Sequence, residues 1–248
     1  MTAEGRPNNL LISVIIPTWN EIGLVGKALE TLLQQQGDFE VIVVDGGSTD
    51  GTCEVVEKFP VQLVRQPDAI PPGLGSQINR GAEKARGSIL MFLHIDVRLP
   101  RGGIAQVTSA LDDPTMVGGG FLPRYDCPVR PLRGLTLELV ERSWQSQTRL
   151  WHWFAGDTAP FIRTAAFWHA GGYPPARFAS DWDFAQQLQR LGRLAIIQAP
   201  VEVDCRRLVQ NGVLKTYVMT ALIGLLYYMQ VDRAQLSKLY RTCLPRER

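Results

Sequence analysis

Apolar and polar positions follow two rhythms in the first hundred residues. Residues 10–17 (LLISVIIP), 39–44 (FEVIVV), 61–65 and 88–93 (SILMFL) are short, mostly apolar runs rich in β-branched side chains. Runs of this length and composition predict buried parallel strands. Between them the period changes to that of a helix. In residues 20–36, Ile22, Val25, Ala28, Leu29, Leu32 and Leu33 fall on one face, and Gly37 closes the stretch. Residues 51–59 and 75–86 read as two further helices, the first capped by Ser48 or Thr49 and the second stopped by Gly87. This β-α-β-α-β-α-β order predicts an α/β fold, a mostly parallel sheet with helices on both faces. Ligands in such sheets bind beyond the carboxyl ends of the strands. The polar clusters at residues 17–21, 45–50 and 94–98 all fall at that rim.

Past residue 100 the pattern loosens. Residues 102–111 read as a helix and 116–122 as a strand. Residues 132–154 form a long amphipathic stretch with Leu137, Val140, Trp144 and Trp151 at three-to-four spacing. A short strand or turn is expected in 159–168, a helix in 180–191 stopped by Gly192, and a strand in 194–197. A final apolar helix is expected over 215–229. No internal repeat or low-complexity segment is present.

Composition adds limits. With 45% hydrophobic and 20% charged residues among 248, the chain is globular, with disorder expected only at residues 1–9 and 244–248. A net charge of +2 gives no ground for nucleic-acid binding. Positive charge is mostly Arg, which suits bidentate phosphate contacts. Residues 205–248 carry eight Lys/Arg against Asp232 and Glu247, next to sixteen uncharged residues at 216–231. That run is shorter than the roughly 20 residues a spanning helix needs. A core helix and a helix lying in a membrane surface both remain open. Cys53, Cys127, Cys205 and Cys243 lack metal-ligand spacing, and the N-terminus lacks an apolar signal core. Four free thiols in a reducing cytoplasm is the expectation.

Four clusters could carry chemistry, and each also has a structural explanation. Asp96 follows a buried strand, where a carboxylate can bind a hard divalent cation or simply cap a turn. Asp45 and Asp50 flank a Gly/Ser loop that can approach a ligand closely, or merely turn from strand to helix. Asp181 and Asp183 open a helix, where acids are favoured anyway, yet either could serve as a base. Asp157 follows Trp151, His152, Trp153 and Phe154, a polar break that could bind a sugar by hydrogen bonds and stacking. Gly73-Leu74-Gly75 fails as a dinucleotide fingerprint, because Ile78 stands at the third glycine and the stretch does not follow the first strand. His94, His152 and His169 are not spaced as a metal cluster.

Together, SVIIPTWNE (residues 13–21), VIVVDGGSTDGT (41–52), QINRGAEKARG (77–87), ILMFLHIDVRLP (89–100) and the acidic helix start at Asp181 resemble the family 2 glycosyltransferases. The subgroup most similar is that of small bacterial transferases with a His-x-Asp signature, some of them found beside radical-SAM proteins. The resemblance implies a GT-A fold over residues 1–200, with a nucleotide-binding half (10–100), an acceptor half (101–200) and a C-terminal helical segment (201–248). It implies an inverting transfer from a UDP- or GDP-sugar to a hydroxyl acceptor, with Mg²⁺ or Mn²⁺. Asp96 then holds the metal, Asp181 is the catalytic base, and Pro17, Glu21 and Asp45 contact the nucleotide. Asp157, Trp153 and Asp183 become candidates for acceptor contacts.

Three positions depart from the family pattern. Gly46 replaces a second Asp that reads the base, Ile95 an acid near the ribose, and Leu74 lies where relatives carry an Arg near the diphosphate. They keep a non-catalytic nucleotide-sugar-binding scaffold open as an alternative. A sugar-phosphate nucleotidyltransferase ranks lower, because PTWNE stands where that class has a Gly-rich basic loop. The expected location is cytoplasmic, with a peripheral contact on the inner membrane and a lipid-linked acceptor as open alternatives.

Overall fold

The computed structural model describes residues 10–66, 73–127, 135–175 and 178–244. The first half follows the rhythm of its sequence: β1 (Ile12–Thr18), α1 (Ile22–Leu33), β2 (Phe39–Asp45), α2 (Thr52–Val56), β3 (Gln62–Arg65), α3 (Leu74–Lys84) and β4 (Ile89–Phe92). Next come β5 (Val97–Arg98), α4 (Gly103–Ala110), β6 (Met116–Asp126) and α5 (Leu135–Trp151). A 3-10 turn, Gly156–Thr158, leads to β7 (Phe161–Arg163) and α6 (Thr164–His169). The chain continues with α7 (Ser180–Leu191), β8 (Arg193–Asp204), α8 (Arg206–Asn211), α9 (Val213–Tyr228) and α10 (Arg233–Cys243).

The strands form one sheet in the order β3-β2-β1-β4-β7-β6-β8-β5. Pairs β1–β2, β2–β3, β1–β4 and β6–β8 are parallel, while β7 opposes both β4 and β6, and β5 opposes β8. The mostly parallel α/β sheet is therefore present, with reversed strands confined to the second half.

Alternation along the central strands builds two cores. Ile12, Val14 and Ile16 of β1 and Ile89 and Met91 of β4 join Val25 and Leu29 of α1 and Val140 of α5 on one face. Ile15, Leu90 and Phe92 point the other way, onto Ile78 of α3, Phe167 of α6 and Phe184 of α7. Period-two side chains demand cover on both faces, and helices supply it.

Several expectations change. The register of β6 on β8 sets Asp126 opposite Asp204, so Cys127 and Cys205 emerge side by side with Cα atoms 5.3 Å apart and form a disulfide. A separation of 78 residues hides this pairing in the sequence. The expected four free thiols are thus two among the described residues, Cys53 and Cys243, and the thiol argument for a reducing compartment no longer holds. The cap at α2 is also different: neither Ser48 nor Thr49 but Gly51 is the N-cap, and just before it Asp50 Oδ1 accepts the Thr52 amide at 3.0 Å. Strands β6 and β8 outrun the stretches expected for them, and α8 and α10 flank the single C-terminal helix that was expected. Leu244, expected to be disordered, is buried, whereas residues 1–9 and 245–248 lie outside the described residues.

Candidate active site

The loops at the carboxyl ends of β1 and β2 are locked together. Asn20 donates its amide to Ser48 Oγ (2.8 Å) and accepts the Thr49 amide at its side-chain oxygen (2.9 Å). The Glu21 amide donates to Thr52 Oγ1 (2.8 Å), and the Ile22 amide to Asp50 Oδ2 (3.0 Å). Behind them the buried Gln77 amide donates to the carbonyls of Thr18 (2.8 Å) and Val44 (2.9 Å). This rim carries the three expected nucleotide residues. Pro17 is half-buried in β1, in register with Val44. Asp45 is buried and already accepts the amides of Gly47 and Ser48, each at 2.9 Å, and the Ser48 hydroxyl at 2.5 Å. Its carboxylate shapes the loop whatever else it does. Glu21 lies 3.3 Å from Arg206 of α8, so the C-terminal segment reaches back over this rim.

The departures have local causes. A Cβ on Gly46 would lie 3.0 Å from the Gln77 side-chain nitrogen that ties the two strands. Ile95 is packed into the core, because only alternate residues after β4 face outward. Those outward residues are His94 and Asp96, both half-buried. Leu74 opens α3.

A second group comes from the other half. The long strand β6 passes tightly against Phe154, where a Cβ on Gly120 would lie 2.4 Å from the ring. That contact fixes the start of the segment running into Gly156 and Asp157. Gly156 in turn makes room for His94: a Cβ there would lie 2.1 Å from its Cε1. Asp157 accepts the Tyr125 hydroxyl at 2.6 Å. Burial pushes the Tyr125 phenol well above its usual range, and the carboxylates of Asp157, Asp96 and Glu141 push it further.

Asp181 sits in the first turn of α7. It is half-buried. Burial raises its carboxyl above the usual aspartate range, nearby His94 opposes the shift, and the Asp157 charge adds to it. Asp181 is thereby linked to Asp157, Asp157 to Tyr125, and Tyr125 to Asp96. Asp157 thus acts on Asp181, and Asp157 and Asp96 both act on Tyr125, so acids from three separate stretches lie near one another.

Asp183 does not join them. Both its oxygens receive Arg233, at 2.5 and 2.7 Å, and Oδ1 also accepts the Tyr227 hydroxyl at 2.5 Å. The acceptor contact expected of Asp183 gives way to the docking of the C-terminal helices onto α7. Trp153 is half-exposed beside Trp182 and Tyr228, with ring centroids 6.4 and 6.1 Å away. His94 and Tyr125 were missed from sequence. His94 had a signal, two residues before Asp96 and on the same side of the chain, whereas Tyr125 had none.

The His94–Gly156 fit gives a direct test. In Gly156→Ala the added methyl forces the imidazole away. Misplacement by about 1 Å can cost about 10²-fold in rate. A comparable fall in kcat, with far-UV circular dichroism unchanged, is expected.

Among the described residues no three or more His, Cys, Asp or Glu side chains are grouped to hold a metal ion. A small divalent cation bound by one or two carboxylates plus substrate phosphates needs no such group. Asp96 offers that kind of single hard oxygen ligand.

Comparison with known proteins bears on the family and the fold. The model for "Glycosyl transferase family 2" matches residues 13–169. The PGL/p-HBAD biosynthesis glycosyltransferase of Mycobacterium bovis (strain BCG / Pasteur 1173P2) is 36% identical over 91 residues, 35% of this chain and 35% of that protein. The chain spans little more than a third of the length of such curated relatives. Glucosyl-3-phosphoglycerate synthase from Mycobacterium tuberculosis, solved with Mn²⁺, UDP and glucosyl-3-phosphoglycerate, superposes with a TM-score of 0.61. It is 17% identical, and the match covers 93% of this chain and 88% of that one. The mannosyltransferase PcManGT from Pyrobaculum calidifontis, solved with GDP-Man and Mn²⁺, gives 0.58 at 23% identity, covering 87% of this chain and 65% of that one. At these identities the structural likeness establishes the fold, which is GT-A.

Proposed function

The chain belongs to glycosyl transferase family 2, and from that premise we propose that it moves a sugar from a UDP- or GDP-sugar to a hydroxyl acceptor with inversion. In this reading residues 10–100 hold the donor, residues 101–200 the acceptor, and residues 201–248 form a helical appendage. The nucleotide lies against Pro17, Glu21 and Asp45. The observation that carries the proposal is the linkage of Asp181 to Asp157, of Asp157 to Tyr125 by a hydrogen bond, and of Tyr125 to Asp96.

Asp181 takes the proton of the acceptor hydroxyl as its oxygen attacks the anomeric carbon. The bond from that carbon to the diphosphate oxygen breaks on the opposite face, and the diphosphate leaves with the electron pair. A carboxyl lifted above the usual aspartate range is a stronger base when ionised. Asp157, steadied by Tyr125, and the half-exposed Trp153 orient the acceptor. Asp96 would hold the Mg²⁺ or Mn²⁺ ion. Such an ion supplies charge neutralisation at the leaving group.

The Asp157 charge adds to the upward shift at Asp181. Removing it in Asp157→Asn therefore lowers the Asp181 pKa. The acidic limb of the kcat/KM profile is expected to move to lower pH, and an unmoved limb would break the assigned link.

The proposal as a whole is tested by thermal-shift screening of UDP-, GDP- and dTDP-sugars with and without Mn²⁺. Specific ligands stabilise the folded chain by mass action. One nucleotide class should raise Tm, and more so with Mn²⁺. No shift with any of them would contradict the donor assignment.

A further inference from the structure

α9 is mostly apolar, yet one side of it is left uncovered by protein. Its inner side buries Val213 and Ile223. There Tyr217 hydrogen-bonds Ser143 at 2.8 Å and packs on Trp144. Its outer side presents Leu214, Val218, Leu222, Leu225 and Tyr228 at three-to-four spacing, with Met229 just beyond, all exposed. Leu225 and Met229 keep 58% and 66% of their surface. Such spacing places them in one arc. Such an exposed apolar arc favours an apolar phase beyond the protein.

α5 runs beside α9 in the same direction, since Ser143 meets Tyr217 and Trp153, just past α5, meets Tyr228. Its outer side adds Leu139, Leu150 and Trp151, with Leu150 72% exposed. Arg142 and Arg149 of α5 and Lys215 of α9 are exposed as well. Glu138 is the one exposed acid on either helix.

We propose that the α5–α9 face docks on the surface of an anionic lipid bilayer. The leucines, valine and methionine enter the acyl boundary, the cations meet the headgroup phosphates, and Trp151 and Tyr228 lie at headgroup level. The contact is interfacial: none of the described helices is long and apolar enough to cross a membrane. The sixteen residues of α9 extend only about 24 Å. A second copy of the chain fits this face less well. Symmetric pairing would bring three cations per subunit together with a single acid to offset them. The inference rests on these two helices and stands whether or not the proposed reaction is correct.

The test is co-sedimentation of the full chain with vesicles of phosphatidylcholine, alone or mixed with phosphatidylglycerol. The wild-type chain is expected to bind the mixed vesicles in preference. The paired change Leu222→Glu and Leu225→Glu should lower the partition coefficient by more than about tenfold. Changing Arg142, Arg149 and Lys215 to Gln should lower it by about fivefold per charge removed. Both variants alter exposed side chains and should keep the wild-type unfolding midpoint. Equal sedimentation of the wild type and the leucine variant would overturn the proposal. So would an absence of vesicle binding together with a concentration-dependent dimer that the leucine variant abolishes.

Discussion

Asp181→Asn is expected to lower kcat by about 10²–10⁴-fold, the usual worth of a positioned base. Asn keeps the size of the side chain and its place in the first turn of α7, so donor affinity should change little. Stability should move the opposite way. Burial raises the Asp181 carboxyl in the folded state. A raised carboxyl contributes stability while protonated and loses it as pH rises from the unfolded value through the folded one. At neutral pH the ionised side chain therefore opposes folding, and Asn relieves that opposition. The expected pair of results is an inactive protein that melts at the same temperature or higher. Steady-state kinetics and thermal unfolding check it together. A variant that is inactive because it is unfolded would not support the assigned role.

Asp96→Asn is expected to cost on the order of 10²–10⁴-fold in kcat/KM, since a metal contact at a leaving group is worth several kcal/mol. Its signature differs from that of Asp181→Asn. An amide is a weaker ligand than a carboxylate, so saturating Mn²⁺ should recover part of the activity and the Mn²⁺ midpoint should rise. At position 181 added metal should recover nothing. Equal behaviour of the two variants across a Mn²⁺ titration would remove the separate roles given to these acids.

The first half of the chain was legible because its strands are buried on both faces and its helices have a clean apolar stripe. α7 was read at its observed bounds because acids open it and Gly192 ends it. The longer strands were not. Gly118, Gly119 and Gly120 in β6 and Pro200 in β8 interrupt the apolar pattern, and β6 shifts register on β8 in two places. Pairings set by tertiary contact were also hidden. Cys127 meets Cys205 only because two strands lie in register, and Asp183 meets Arg233 only because α10 folds back on α7. At the site, local signals marked Asp96, Asp157 and Asp181 singly. The link from Asp157 to Asp96 runs through Tyr125, the penultimate residue of β6, which lies past the stretch read as strand from sequence.

The central claim is that Asp96 and Asp181 work on opposite sides of one sugar donor. A crystal structure with Mn²⁺ and a non-hydrolysable nucleotide sugar tests it most directly. The account predicts anomalous density for Mn²⁺ bridging the Asp96 carboxylate and the diphosphate, with Asp181 facing the anomeric carbon from the side away from the leaving group. Manganese bound away from Asp96, or Asp181 walled off from the sugar, would contradict it.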